Sequence, residues 1–288
     1  MDDQTSPFAT YKPSQLASCA MAAARSDISA RFRPLRSLLG RLAGNRSAGP
    51  IDATVLGDLK ARLYPATNLC EKRVLLGTDE WDLDERRLLC AFIERADGDF
   101  TFVDIGANAG LYSLFVGRTC QRLNRRYEIL CFEPSARMAA RLRYNLSANE
   151  IDADVSETAI LPEVAGCTLQ DDKDNIGASR IADRPAFGDT AILGEPIHTA
   201  LLRHGMDRVT AMKIDIEGGE LAALLSFFES GLAHLFPSLL LVETLREDGA
   251  DITALCQRQG YRVLLRTKMN TVFSRAHDEA VRFHSDFR

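Results

Sequence analysis

Short apolar runs alternate with amphipathic stretches from residue 100 onward. The runs with β-type composition are Phe100–Ile105, Glu128–Phe132, Val155–Leu161, Val209–Ile216 and Leu239–Glu243. Apolar residues at helical spacing lie between them, starting near Leu111 and covering Ser135–Ala148, Glu220–Ser230 and Ile252–Gln259. Strands that alternate with helices in this way predict an α/β fold, with a mostly parallel sheet and helices on both faces.

The end of the chain follows a different pattern. Two further β-type runs, Tyr261–Leu265 and Thr271–Ser274, are separated only by Arg266–Asn270. This connection is too short for a crossover helix, so the two runs are predicted to pair as a C-terminal antiparallel hairpin. Residues 51–99 are predicted to be mostly helical, and residues 163–195, which are rich in Asp, Gly and Pro, to form an insertion or a small hairpin.

Composition and charge restrict the classes of protein to which the chain can belong. The chain has 288 residues, of which 46% are hydrophobic and 26% charged, values typical of a globular protein with one large domain or two small ones. The formal charge of −5 is the sum of −2 over residues 1–11, +6 over residues 12–46 and −9 over residues 47–288. Because a nucleic-acid surface would be basic, the acidic body argues against a nucleic-acid partner.

The basic segment has apolar residues at helical spacing, interrupted by Pro34, and residues 44–50 look like a linker. We therefore divide the chain into a basic, partly helical arm (1–50), a helical lead-in (51–99) and a main domain (100–288). The arm has two interpretations, a helix for peripheral membrane contact or an arm that packs on the body, and the second is favoured. We expect the arm to be dispensable for cofactor binding.

Seven scattered cysteines without metal-like spacing indicate a reducing compartment, which predicts a cytoplasmic protein.

The first chemical motif is FVDIGANAG, residues 102–110, in which an apolar strand ends at Asp104 and two glycines precede a helix. Gly106 and Gly110 would let the backbone approach a ligand at the carboxyl end of a strand. Glu133 ends the next strand, and an acid at this place suits the two hydroxyls of a ribose. The spacing indicates a nucleoside site. The glycines do not follow the GxGxxG pattern of dinucleotide-binding proteins, and the motif is not a P-loop. An acid at a strand end can also simply cap a helix.

The second motif is MKIDIEGGE, residues 212–220. Lys213, Asp215 and Glu217 share one face of the strand, unless the strand has already ended at Asp215. Burying ionisable groups costs several kcal/mol unless they are paired or solvated, so the end of this strand is predicted to be a wall of the site. The alternative is a structural Lys213–Asp215 pair. For Glu220 a structural role at a helix N-terminus is favoured.

Taken together in this order, the motifs resemble the FkbM family of S-adenosylmethionine-dependent methyltransferases over about residues 100–275. The segments that carry the resemblance are FVDIGANAGLYSL, CFEP, NLSAN, MKIDIEGGE and LLLVE. The resemblance implies a class I methyltransferase, a Rossmann-like fold with a seven-stranded sheet. It also implies, in most members, O-methylation of a small molecule, a sugar or a lipid-linked glycan.

The resemblance further implies roles for individual residues. Those expected at the methionine part of S-adenosyl-L-methionine are Asp104, Gly106, Asn108 and Gly110. Glu133 would hold the ribose hydroxyls, and the segment that includes Glu157 and Ala159 would lie beside the adenine. Residues 174–180 would form a flap near the acceptor.

An aliphatic hydroxyl is a poor nucleophile, so a base near the methyl group is expected. The candidates, in order, are Asp215, Glu217, Glu243 and His198. No metal is predicted, although Asp215, Glu217 and Glu243 could instead hold a divalent cation. Two other functions stay open: an NAD-dependent oxidoreductase or epimerase, and a non-catalytic binding protein on a degenerate methyltransferase fold. The sequence indicates neither the acceptor nor the oligomeric state.

Overall fold

The computed structural model of the chain describes residues 2–26, 33–44, 49–77, 81–170, 180–182, 192–246 and 248–275. The helices are α1 (Gln15–Ala24), α2 (Arg33–Leu42), α3 (Leu69–Leu76), α4 (Leu83–Arg95), α5 (Leu111–Arg122), α6 (Ala136–Ala148), α7 (Ile197–Arg203), α8 (Glu220–Glu229) and α9 (Gly249–Arg258). The first strands are β1 (Ile51–Val55), β2 (Leu59–Leu63), β3 (Phe100–Ile105), β4 (Tyr127–Phe132), β5 (Asp154–Ser156), β6 (Ala159–Ile160) and β7 (Ala165–Gln170). The remaining strands are β8 (Arg180–Ala182), β9 (Ile192–Glu195), β10 (Ala211–Ile214), β11 (Leu239–Glu243), β12 (Tyr261–Arg266) and β13 (Asn270–Arg275).

The central sheet has seven strands in the order β12-β13-β11-β10-β3-β4-β5. Strands β3, β4, β5, β10 and β11 run parallel, whereas β13 runs antiparallel to both β11 and β12. The predicted C-terminal hairpin is thus confirmed. The chain proceeds outward from β3 through β4 to β5 and then crosses to β10 on the other side of β3. Ligands of open α/β sheets bind at such a reversal of strand order, beside the carboxyl ends of the strands.

Helices cover both faces of this sheet, as predicted. Alternating side chains of β3 divide between two cores: Phe100 and Phe102 face one, and Val103 and Ile105 face the other. The first core contains residues of α1, α3, α4, α5 and α6, and the second contains residues of α7, α8 and α9. In the described part of the chain, no helix is both long and apolar enough to cross a bilayer.

The prediction that residues 51–99 are mostly helical is wrong at the start of this segment. Residues 51–63 form an antiparallel β1–β2 hairpin, and helices begin only at Leu69. Leu56 and Gly57 both have positive φ in the turn, at +48° and +93°. The alternation of polar and apolar residues on either side of this Gly-Asp turn is the pattern of a hairpin.

The predicted strand Val155–Leu161 is also divided. Only Asp154–Ser156 pairs with β4 in the central sheet, and Ala159–Ile160 pairs with β9 in a smaller sheet of order β6-β9-β7-β8. The small sheet carries the part of the predicted 163–195 insertion that the structure describes.

Candidate active site

A cavity of about 550 Å³ lies at the carboxyl ends of β3, β10 and β11. The sheet side contributes the loop after β3, the end of β10 and the end of β11. The facing wall comes from the lead-in and from the turn between β12 and β13. The polar residues around the cavity are Asn68, Arg73, Asp82, Asn108, Lys213, Asp215, Glu217, Glu243, Arg246, Lys268 and Asn270.

The loop after β3 requires glycine at position 106. Gly106 has φ +74°, and a Cβ added there would lie 1.8 Å from the backbone oxygen of Asp215. The close contact joins the ends of β3 and β10, so any side chain would push the two strand ends apart. The glycine therefore shapes the floor of the cavity, in agreement with its predicted place in the site.

Asn108 links this loop to two other parts of the site. Its backbone N–H donates to Glu133 Oε2 at 2.8 Å, and its Oδ1 accepts from Asn68 Nδ2 at 2.7 Å. Glu133 Oε1 also accepts from the Ser135 N–H at 3.0 Å, so Glu133 bridges the ends of two strands and the start of α6. Burial raises the pKa of Glu133 to about 7, against the lowering effect of these two hydrogen bonds.

Asp104, Lys213 and Asp215 form a charged row beneath the cavity. Lys213 Nζ donates to Asp215 Oδ2 at 3.0 Å and lies 4.0 Å from Asp104 Oδ1. Burial lowers the pKa of Lys213, but Asp215 and Asp104 outweigh it and raise the pKa, so the lysine stays protonated. Asp104 Oδ2 accepts from Ser113 Oγ at 2.6 Å, while its buried Oδ1 has no hydrogen-bond partner among the described residues. β10 ends before Asp215, and the Lys213–Asp215 pair that the sequence analysis gave as the alternative is present.

Glu217 and Glu243 differ in their pairing, although both line the cavity. Glu217 has φ +61° and forms an ion pair with Arg246. Glu243 Oε2 is 3.8 Å from Arg246 Nε and, within the described chain, has no hydrogen-bond partner. Burial, followed by the charges of Asp215, Glu217 and Glu220, raises the pKa of Glu243 to about 7.

The three carboxylates closest together are Asp215, Glu220 and Glu243, whose oxygens lie within 4.8 Å of one another. This grouping differs from the cation cluster that was left open as an alternative, because Glu220 takes the place of Glu217. Glu220 Oε1 accepts from the Ile216 N–H at 2.8 Å and its Oε2 from the Gly218 N–H at 3.0 Å. It therefore closes the turn before α8, the structural role expected from the sequence.

The Methyltransferase FkbM domain matches residues 104–263 of the chain, more than half of its length. The chain belongs to the FkbM methyltransferase family. The suspected family is thereby confirmed, and a nucleotide-dependent oxidoreductase or epimerase is set aside. The seven-stranded sheet with its β12–β13 hairpin is the fold of a class I methyltransferase, as predicted. S-adenosyl-L-methionine is accordingly the expected cofactor.

Solved structures with a similar fold include a Listeria monocytogenes protein assigned to the class I S-adenosylmethionine-dependent methyltransferases. It shares 8% identity with a TM-score of 0.38, over 68% of this chain and 60% of that protein. The METTL16 methyltransferase domain shares 14% identity with a TM-score of 0.43, over 68% of each chain. Precorrin-6y C5,15-methyltransferase from Geobacter metallireducens GS-15 shares 12%, with a TM-score of 0.41, over 67% of this chain and 87% of that one. No curated protein matches the chain.

The residues expected to hold S-adenosyl-L-methionine fit it to different degrees. Gly106 lines the cavity, whereas Gly110 packs against α6, where an added Cβ would lie 2.2 Å from the Leu142 side chain. Asp104 is buried outside the cavity wall, and its Oδ1, 4.0 Å from Lys213 Nζ, accepts no hydrogen bond from the described residues. Glu133 ends the neighbouring strand, lies outside the cavity wall, and accepts a backbone N–H with each of its oxygens.

Three other residues from the sequence analysis lie apart from this cavity. Glu157 forms an ion pair with Arg143 at 2.7 Å, with both side chains nearly half exposed. Ala159 is buried in β6, and His198 lies on α7; neither lines the cavity. The predicted flap at 174–180 falls outside the described residues except for Arg180, which starts β8.

The lead-in supplies residues that sequence reasoning missed. Asn68 caps α3 by accepting from the Glu71 N–H at 3.0 Å while its amide reaches Asn108. Trp81 packs edge-to-face on Tyr112 at 5.0 Å, and the Tyr112 hydroxyl donates to Asp82 at 2.9 Å. Asn before an apolar run is an N-cap pattern, which could have indicated Asn68. No local pattern indicates that Trp81 and Asp82 face the site.

Proposed function

We propose that this FkbM-family protein transfers the methyl group of S-adenosyl-L-methionine to a hydroxyl of a sugar, a glycolipid or another small molecule. The observation that carries the proposal is Glu243, a buried carboxylate in the wall of the cavity whose Oε2, 3.8 Å from Arg246 Nε, accepts no hydrogen bond from the described residues. An enzyme that methylates a hydroxyl needs a group to receive the proton, and Glu243 has the free lone pairs to do so.

The cofactor contacts follow the sequence assignment. We infer that Asp104, Gly106, Asn108 and Gly110 hold the methionine part and Glu133 the ribose hydroxyls. Support comes from the unpartnered Asp104 oxygen and from the tight Gly106 loop. Glu157 and Ala159 remain proposals for the adenine side, with the Glu157–Arg143 ion pair at the surface edge of that region.

Among the three candidate bases, Glu243 is the best suited. Asp215 accepts a hydrogen bond from Lys213 and Glu217 accepts one from Arg246, whereas Glu243 Oε2 accepts none from the described residues. Glu243 has a pKa of about 7, close to the pH at which a general base works most efficiently. Asp215 and Glu217 then act by holding Lys213 and Arg246 in place.

The cofactor, when bound, supplies a methyl group that its sulfonium charge already activates. The protein must align the acceptor hydroxyl with that group and exclude water. Arg246, Lys268 and Asn270 offer hydrogen bonds to a polyhydroxylated acceptor on the wall formed by the β12–β13 turn and the segment after β11. Glu243 takes the hydroxyl proton as the new bond forms, which leaves the acceptor as a neutral ether.

The state of the cysteines supports a proposal for the cellular compartment in which the reaction takes place. All seven are free thiols in the structure. Free thiols persist in a reducing compartment, so we place the methyl transfer in the cytoplasm.

The pH dependence of turnover tests the role of Glu243. Release of S-adenosylhomocysteine is measured with a panel of sugars, glycolipids and small alcohols. We expect the rate of the wild type to rise through about pH 7, as Glu243 loses its proton. Glu243→Gln is expected to lower kcat by about 10²–10⁴-fold and to remove this dependence.

Glu217→Gln is the matched control, because Glu217 lines the same cavity but is already paired. This variant should keep the rise near pH 7. Full activity of Glu243→Gln would contradict the proposal. Tight cofactor binding with no turnover on the whole panel would favour the non-catalytic alternative.

A further inference from the structure

Helix α2 exposes three leucines on one side. Leu35, Leu38 and Leu42 are 40%, 54% and 47% exposed, and their spacing of three and four residues places them on one face of the helix. Leu39 and Ala43 lie beside this face, on the side that packs into the core. Leu16 of α1, which packs on α2, is 67% exposed. These four leucines, together with the exposed Lys12 and Arg41, are named the arm surface.

The arm surface is basic on an otherwise acidic protein. Residues 12–46 carry +6, whereas residues 47–288 carry −9. Lys12, four residues before Leu16, and Arg41, which precedes Leu42 in the chain, are both exposed. Arg25 and Arg36 instead donate to the backbone oxygens of Leu75 and Leu76, which fixes α1 and α2 on the end of α3.

The same contacts connect the arm surface to the active site. Helix α3 ends at the residues that Arg25 and Arg36 hold, and its first turns supply Leu69, Cys70 and Arg73 to the cavity. A partner bound to α1 and α2 would therefore lie one short helix away from the cavity.

We propose that the arm surface binds the surface of an anionic lipid bilayer. Leucines on one face of a helix, flanked by lysine and arginine, suit the boundary between acyl chains and negatively charged headgroups. A second copy of this chain would place two surfaces of the same charge against each other, and a nucleic acid would leave the leucines in water. The proposal is independent of the reaction that the cavity carries out.

Vesicle sedimentation of the full chain tests the proposal. The probe is vesicles of phosphatidylcholine alone and vesicles of phosphatidylcholine with phosphatidylglycerol in equal parts. We expect binding to the anionic vesicles to be at least tenfold stronger than to the neutral ones, and to weaken as salt is added. The double variant Leu38→Gln/Leu42→Gln should lose at least tenfold in binding.

The chain offers matched controls for both parts of the surface. Leu202→Gln alters an equally exposed leucine on α7, and Arg126→Glu alters an exposed arginine on the main domain, as a control for Arg41→Glu. Both controls should bind vesicles like the wild type, whereas Arg41→Glu should bind more weakly. Unchanged binding of S-adenosylhomocysteine shows that each variant is folded.

Three results would overturn the proposal. The first is equal binding to neutral and anionic vesicles. The second is undiminished binding of the leucine double variant. The third is a dimer in analytical ultracentrifugation that the leucine variant dissociates, which would assign the surface to a second copy of the chain.

Discussion

Burial raises the pKa of two glutamates, Glu133 and Glu243, but the two side chains differ in their hydrogen-bond partners. The pKa of each is raised to about 7. Glu133 uses both oxygens to accept backbone N–H groups and so orders the loop after β3 and the start of α6. Glu243 keeps one oxygen without a hydrogen-bond partner, within the described chain. The difference in hydrogen bonding, rather than in pKa, is what separates a binding residue from a candidate base.

The raised pKa of Glu243 has a consequence for stability. The folded chain holds this proton to about pH 7, whereas the unfolded chain releases it near pH 4.5, so the folded state loses stability as the pH rises between these values. Glu243→Gln removes that titration. We expect its melting temperature to exceed that of the wild type at pH 8 and to equal it at pH 4.5. A difference that does not change with pH would contradict the assigned pKa.

Gly106→Ala is expected to weaken S-adenosylhomocysteine binding by at least tenfold in calorimetry, because the new Cβ collides with the Asp215 backbone oxygen at 1.8 Å. The control is Gly98→Ala. Gly98 has a similar φ of +70°, but no atom lies within 4 Å of its added Cβ. Both variants carry the backbone penalty of about 1–2 kcal/mol for a left-handed alanine. Equal loss of affinity in both would show that the collision is unimportant.

At the scale of elements, the sequence predicts the parts whose local pattern is decisive. β3 and β11 have the bounds expected from their apolar runs, and the short Arg266–Asn270 connection correctly indicated a hairpin. The β1–β2 hairpin was missed because its short strands mix Asp, Thr, Lys and Arg with apolar residues. The sequence predicts one strand over Val155–Leu161, whereas the structure has two, because the second half pairs with β9, a partner far along the chain.

The NLSAN motif joins the β1–β2 hairpin to the main domain. Asn145 Oδ1 accepts from the Arg62 N–H at 2.9 Å, and its amide donates to the Ala109 oxygen at 3.0 Å. Asn149 bonds both backbone groups of Lys60, at 2.8 and 2.7 Å. Asn145 thus contacts both the β1–β2 hairpin and the loop after β3, whereas Asn149 contacts the hairpin but not that loop.

Asn145→Ala and Asn149→Ala should therefore have different effects. Each leaves buried backbone groups unpaired and is expected to lower the free energy of unfolding by about 1–3 kcal/mol in denaturant titrations. Only Asn145→Ala should also weaken S-adenosylhomocysteine binding, because it removes the hydrogen bond to the Ala109 carbonyl in the loop after β3. Equal effects of the two variants on binding would refute this division of roles.

At the scale of the whole molecule, the N-terminal segment is part of the folded body. Asp2 forms ion pairs with Arg137 and Arg141 at 2.6 Å each. Arg62, fully buried with Asp52 at 2.7 Å, also donates to the backbone oxygens of Asp3, Ser6 and Pro7. The structure therefore argues against the expectation that the arm is dispensable. The sequence could not show this, because the partners of Asp2 lie more than 130 residues away.

Removal of residues 1–11 should leave Arg62 and Arg141 with unsatisfied buried groups. We expect the free energy of unfolding to fall by about 3–5 kcal/mol, measured in denaturant, with a parallel loss of cofactor affinity. Lys12→Ala, an exposed change at the next residue, is the control and should have no effect. A truncated chain as stable as the full chain would show that these contacts contribute little.

The most direct test of the central claim is the identity of the methylated atom. The chain is incubated with S-adenosyl-L-methionine carrying a ¹³C-labelled methyl group and the panel of sugars, glycolipids and small alcohols, and the products are examined by NMR and mass spectrometry. We expect the label on an acceptor oxygen, with wild-type protein and not with Glu243→Gln. A label on nitrogen or carbon, or an oxygen-linked product that Glu243→Gln forms equally well, would contradict the account.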